Sequence, residues 1–228
     1  MPKHGDIDKL LVIGSGPVMI GQAEELNQAS AQACDALRSI GYQLIIVHSD
    51  PAAAITDTTK ENRVYVEPLD FSTLLQIIAL EKPDAVLATV GGQTALNLTY
   101  DLSKKGLLSK YKIDLLGLSL LSLHIGVDRM KLKVLALPNG IEHSHFACAN
   151  SSAEAVSYAE QFGYPVLVRS IISEPGFGNS MAYNIEELQR SIKTRLANPR
   201  NKQVMLEESL LGYKEIEVLV ARDSNGRR

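Results

Sequence analysis

The chain has 228 residues, 45% hydrophobic and 21% charged, which suits a globular protein long enough for one large domain or two small ones. Its net charge of -3 supplies no basic field that would draw it to nucleic acid or anionic membrane. Its two cysteines, Cys34 and Cys148, lack CxxC partners, so two reduced thiols are expected rather than a metal or redox pair. The N-terminal Met1-Pro2-Lys3-His4-Gly5-Asp6 has no apolar signal-peptide run, and no apolar stretch approaches the ~18 residues of a membrane span. A cytoplasmic protein is the reading.

Lys9 to Ile13 is an apolar run closed by Gly14-Ser15-Gly16-Pro17, the pattern of a buried strand feeding a tight turn. A helix follows from about Glu24, with Ala29, Ala33, Ala36, Leu37 and Ile40 on one face and Gly41 beyond its end. Gln43 to Val47 is a second strand, ending at His48-Ser49-Asp50-Pro51. A helix from Phe71 to Glu81 precedes a strand from Ala85 to Val90, which ends in Gly91-Gly92. Thr94 to Lys104 is helical, and Ile113 to Gly117 forms another strand. Strands with continuous apolar runs, alternating with helices, predict a parallel sheet covered on both faces, here assigned to residues 1–120. In such sheets ligands gather at the carboxyl ends of the strands, where these glycine and proline turns fall.

The pattern changes near Ser122, and residues 121–228 are assigned to a second unit. Val127 to Leu137 reads as a helix closed by Pro138-Asn139-Gly140. Ser151-Ser152-Ala153-Glu154 has the form of a capping box, opening a helix that runs to Phe162. A strand from Val166 to Arg169 leads through a glycine-containing turn to Met181-Ala182-Tyr183. A helix from Ile185 to Ala197 and a strand from Val204 to Glu208 follow. Strands joined through turns, with helices to one side, predict an α+β arrangement. The segment from Glu215 to Asp223 alternates polar and apolar like a half-exposed strand and runs into the hairpin signal Asn225-Gly226. No partner strand follows, so a sheet cut across its middle is expected.

Two phosphate-binding patterns fail at the first glycine turn. A dinucleotide fingerprint needs glycine where Met19 stands, and a P-loop needs Lys-Ser/Thr where Gln22-Ala23 stands. Arg169, at the end of an apolar strand, is either a structural ion pair or a phosphate ligand, since its planar fork suits phosphate oxygens. Arg129, beside Asp128 at a helix start, reads by default as half of a helix-surface ion pair. Glu207 and Glu208 end a strand, so one of them faces inward and needs donors or a cation. Glu215 and Glu217 share a strand face, where a solvated edge is the plain reading. His143 and His145 lack a third ligand, which argues against a metal site.

Three stretches carry a family resemblance: Ile13-Gly14-Ser15-Gly16-Pro17-Val18-Met19-Ile20-Gly21-Gln22-Ala23, Thr89-Val90-Gly91-Gly92-Gln93-Thr94-Ala95-Leu96-Asn97, and Leu206-Glu207-Glu208-Ser209-Leu210-Leu211-Gly212-Tyr213-Lys214-Glu215. They resemble the start of the large chain of carbamoyl-phosphate synthase. The resemblance implies an α/β fold: a Rossmann-like parallel-sheet pre-ATP-grasp domain followed by a partial α+β ATP-grasp domain. It implies MgATP-dependent phosphorylation of bicarbonate to carboxyphosphate, which ammonia converts to carbamate, towards carbamoyl phosphate for pyrimidine and arginine synthesis. Carried over position by position, Arg129 and Arg169 contact the nucleotide phosphates. Gly176 lies in the loop that covers them, Glu208 and Leu210 line the adenine pocket, and Glu215 holds the ribose hydroxyls. ATP is the implied nucleotide. Implied partners are a glutaminase small chain or the rest of the large chain, with bicarbonate as co-substrate.

The chain departs from that pattern in its mobile loop, Ser173-Glu174-Pro175-Gly176-Phe177-Gly178-Asn179-Ser180. Pro175 has no amide to offer, Glu174 brings negative charge, and Phe177 and Ser180 replace small, flexible residues. Ser170 replaces the family's proline, and the family's magnesium ligands fall beyond residue 228. The expectation is therefore a chain that retains part of the ATP cleft and does not turn over alone. The alternative is a non-catalytic binding or regulatory module, which binds nucleotide or docks onto a synthetase subunit through an unpaired sheet edge.

Overall fold

The computed structural model describes residues 5–16, 23–56, 63–172, 179–197, 202–216, 218, 220 and 226. The chain divides into two compact units: Met1–His143 with Ser170–Asn179, and Ser144–Arg169 with Ser180–Arg228.

The first unit is built on a parallel sheet of β1 (Lys9–Ile13), β2 (Gln43–His48), β3 (Arg63–Val66), β4 (Ala85–Leu87) and β5 (Asp114–Leu116), in the order β3-β2-β1-β4-β5. Helices α1 (Ala23–Ser39), α2 (Phe71–Glu81), α3 (Gly92–Lys104), α4 (Leu107–Tyr111), α5 (Leu120–Val127) and α6 (Arg129–Ala136) accompany it. Leu11, Ile13, Ile45, Val47 and Val86 join Leu74, Ile78, Ala95 and Leu102 in one core cluster. Leu10, Val12, Leu44, Ile46 and Ala85 join Cys34 and Ile55 in another. Adjacent strand residues thus feed opposite clusters, which is why β1 and β2 read as unbroken apolar runs.

The turn from β1 to α1 and the turn from β4 to α3 fall at the carboxyl ends of neighbouring central strands. The chain reverses its direction of winding between these strands, the usual ligand position in such sheets. The backbones crowd there. A Cβ on Gly91 would stand 2.1 Å from the Ile13 carbonyl oxygen, and one on Gly14 would stand 2.0 Å from His48 Cδ2.

Two elements differ from the sequence reading. The edge strand β3, Arg-Val-Tyr-Val, carries no continuous apolar run because none of its residues is buried. The helix expected from Val127 to Leu137 is instead broken at Asp128. This residue takes an extended backbone (φ -104°, ψ 107°), ends α5 and caps α6, its carboxylate accepting from the Met130 and Lys131 amides.

The second unit holds the strands β6 (Phe146–Ala149), β7 (Val166–Ser170), β8 (Ser180–Ala182) and β9 (Val204–Glu208), in the order β6-β9-β7-β8, with β6–β9 and β7–β8 antiparallel. Helices α7 (Ser152–Phe162) and α8 (Ile185–Leu196) cover one face. Ala155, Ala159, Leu188 and Ile192 pack there against Val166, Val168, Ala182, Val204 and Leu206. Ser151 caps α7 by accepting from the Glu154 amide, while the Glu154 carboxylate reaches back to the Asn150 amide at 2.8 Å. Cys148 lies in β6, a strand the sequence reading did not include, because short half-buried Phe-Ala-Cys-Ala gives no strand signal. The strand expected from Glu215 to Asp223 is not seen among its described residues: Glu215, Ile216, Val218 and Val220 are exposed and unpaired in any sheet.

Candidate functional site

Strand alternation sorts the second unit's side chains into two faces. Val166 and Val168 of β7, with Val204 and Leu206 of β9, lie under the helices. Leu167 and Arg169, with Met205 and Glu207, therefore take the other face. Across β6, Phe146 pairs with Glu207 and Cys148 with Met205, which extends that face over a third strand. It carries one charged pair on an otherwise apolar surface. Arg169 Nε stands 3.3 Å from Glu207 Oε2, with the arginine side chain 26% and the glutamate 8% exposed. Of the two readings open for Arg169 the ion pair is present, and it does not displace the other. Among the described residues Nε is buried without a hydrogen bond, so Glu207 holds the guanidinium at that side by charge.

Glu207 is the inward carboxylate anticipated at this strand end; Glu208 turns the other way. The Glu208 carboxylate is gripped by His145, whose Nδ1 lies 2.9 Å from Oε2. Because an ionised carboxylate only accepts, that contact makes Nδ1 the protonated ring nitrogen. Leu210 and Glu215 are exposed beyond the end of β9. Gly176 lies outside the described residues. Arg129 belongs to the first unit, at the start of α6. Its amide donates to the Ile171 carbonyl at 3.1 Å, next to an antiparallel bridge between Asp128 and Ile172, and its side-chain Nε is buried. The neighbouring Asp128 carboxylate caps the helix and stands 3.8 Å from Lys131 Nζ.

Two polar groups of the first unit were not singled out from the sequence. His48, at the end of β2, is buried, and its Nδ1 accepts from the Asp50 amide at 2.9 Å. Its Nε2 therefore carries the proton and donates to Ser15 Oγ at 3.3 Å. Burial pushes the imidazole below its ordinary range, against the pull of Asp50. A histidine closing an apolar strand was the only signal available. The second group is Glu81, 2% exposed, which accepts from Arg63 Nη1 at 2.7 and 2.8 Å and from the Tyr65 hydroxyl. Burial opposes its ionisation, yet these donors outweigh burial and hold the carboxyl below the usual range. Its partners sit 16 and 18 residues away, on the edge strand that the sequence concealed. Among the described residues, no three histidine, cysteine or acidic side chains gather as metal ligands.

Comparison with known proteins interprets this arrangement. The family description "Carbamoyl phosphate synthase preATP-grasp domain" matches residues 6–125, and "Carbamoyl-phosphate synthase L chain, ATP binding domain" matches residues 129–228. The chain belongs to the carbamoyl phosphate synthase large-chain family. It is 44% identical over 227 residues to the carbamoyl phosphate synthase large chain of Archaeoglobus fulgidus, covering 98% of this chain and 21% of that one. It is 41% identical over 223 residues to the N-terminal section of the Aquifex aeolicus large chain, covering 98% and 40% respectively. It thus spans about a fifth of the full-length large chain it matches.

Solved structures share the fold. The biotin carboxylase domain of Hydrogenobacter thermophilus 2-oxoglutarate carboxylase, determined with MgADP and bicarbonate, superimposes with a TM-score of 0.63. That match has 18% identity and covers 91% of this chain and 45% of that one. D-alanine–D-alanine ligase from Bacillus anthracis gives 0.59 at 17% identity, covering 90% and 58%. At those identities the likeness speaks for the α/β fold of this large-chain relative and for nothing finer.

Proposed function

We propose that this chain forms part of the nucleotide site of a carbamoyl phosphate synthase large chain, in the half that phosphorylates bicarbonate with ATP. The observation that carries the proposal is Arg169, a cation anchored by a buried glutamate on the sheet face opposite α7 and α8 in a chain of the ATP-grasp family. A guanidinium held this way offers fixed charge and directed donors to phosphate oxygens without ordering a flexible side chain at binding. Arg129 supplies a second cation, Gly176 a loop amide, Glu208 and Leu210 the base contacts, and Glu215 an acceptor for ribose hydroxyls. Bound ATP would supply the phosphoryl group, and the task of these residues is to position it and spread its charge.

In this reading residues 1–120 form the pre-ATP-grasp domain and residues 121–228 the beginning of the ATP-grasp domain. The protein works in the cytoplasm with the rest of a large chain and a glutaminase small chain. The chain alone binds nucleotide but does not turn it over. Support comes from its loop sequence, where Pro175 removes an amide and Glu174 sets a negative charge near the phosphates. Titration calorimetry with MgATP tests the binding: heat at millimolar nucleotide or below is expected, and none would overturn the proposal. Bicarbonate-dependent ATP hydrolysis by the isolated chain would overturn the absence of turnover.

A further inference from the structure

The Glu208 carboxylate does not face the Arg169 side of the sheet. Glu208 follows Val204 and Leu206 in the alternation of β9, so its carboxylate leaves the sheet on the helix side, away from Arg169 and Glu207. The carboxylate is also occupied. Oε2 receives His145 Nδ1 at 2.9 Å and the His145 amide at 3.4 Å, while the Glu208 amide donates to the His145 carbonyl at 2.9 Å. The imidazole is in turn stacked on Phe162 of α7, ring centroids 6.5 Å apart. Leu210 has no polar side chain, but its amide has no partner among the described residues, and its carbonyl is taken by the Tyr213 amide at 3.1 Å. For a nucleobase lying on the Arg169 face, the reachable polar groups at this strand end are main-chain ones.

We infer that His145 is a positioning residue for nucleotide recognition: by holding the Glu208 carboxylate with its ring, beside two main-chain contacts between the same residues, it sets the main chain of Glu208 to Leu210 against the edge of the base. The inference rests on the nucleotide-binding reading above. A peptide carbonyl accepts and a peptide amide donates, which complements the amino group and ring acceptor of adenine. Guanine presents the opposite pair, an acceptor and a donor. A main chain held in place therefore selects for adenine, and a loose one loses that preference along with affinity. The ring contact contributes little to the fold itself, because the His145 side chain is 81% and that of Glu208 43% exposed. What it supplies is direction.

The test compares the full chain with its His145→Ala and His145→Asn variants, titrating MgATP and MgGTP by calorimetry and recording thermal melts. The asparagine amide nitrogen can occupy the place of Nδ1 and donate to Oε2. His145→Ala is expected to weaken MgATP about fivefold, the size of one lost neutral hydrogen bond, and to narrow the ATP-over-GTP preference by a similar factor. Its melting temperature should stay within about 2 °C, and His145→Asn should recover both affinity and preference. Unchanged ATP affinity or preference in His145→Ala would overturn the inference. So would a loss that asparagine does not restore, or one that comes with a large fall in melting temperature. Failure of the unmodified chain to bind MgATP would instead sink the nucleotide-binding reading itself.

Discussion

Replacing Glu81 isolates how much a single buried carboxylate contributes to the parallel-sheet unit. The side chain is 2% exposed at the end of α2 and accepts from Arg63 Nη1 at 2.7 and 2.8 Å and from the Tyr65 hydroxyl. Arg63 is 70% exposed, so when the carboxylate goes its guanidinium returns to water and leaves no buried charge behind. The main loss is therefore the tyrosine-to-carboxylate bond, about 1.5–3 kcal/mol for a hydrogen bond to a charged group. Set against the relief of desolvating the carboxylate, Glu81→Gln should cost about 2 kcal/mol, and a unit of this size should melt roughly 4–8 °C lower.

The sign of the pH dependence follows from the direction of the shift. Because the folded carboxyl is held below its ordinary value of 4.5, the stabilisation is complete above that pH. It is lost as pH falls through the depressed folded value. Chemical denaturation followed by circular dichroism, at about pH 7 and again near pH 3, should therefore show a wide gap between parent and variant that closes in acid. A gap of the same width at both values would refute the argument, since it could not come from the carboxylate charge.

Other predictions concern the strand ends and the cation. His48 is held neutral by burial, so the unfolded chain takes up its proton first; stability should decline as pH falls below about 6.5, and His48→Asn should flatten that decline in pH-dependent melts. Gly91→Ala would place a methyl 2.1 Å from the Ile13 carbonyl oxygen, a contact only backbone movement can relieve, and should cost about 3 kcal/mol or more, read as lost soluble yield or a collapsed melting transition. Arg169→Lys keeps the charge but removes the fork. It should weaken MgATP about tenfold by calorimetry, and affinity equal to the parent's would remove Arg169 from the phosphate site.

How much could be read in advance varied with where the information sits in the chain. Buried runs such as Leu10 to Ile13 and Leu44 to Val47 announced β1, β2 and a parallel sheet. The caps at Asp128 and Ser151 are local signals too, although the one at Asp128 went unread as a helix break. Edge strands β3 and β6 stayed hidden, because half-exposed residues carry no apolar run and only a partner strand makes them strands. The family's nucleotide residues could be located by resemblance, but resemblance did not say which atoms of Glu208 face which way.

The sequence alone determined the α/β class, the family and the position of Arg169 at a strand end, since each is written in a few consecutive residues. Only the tertiary structure decided the pairs Arg169–Glu207, His145–Glu208, Arg63–Glu81 and Ser15–His48. Each joins residues from 18 to 63 positions apart, brought together by strand order and side-chain alternation. Local patterns cannot encode a register set by the packing of distant strands, and it is that register which sends one glutamate to the arginine and its neighbour to the histidine.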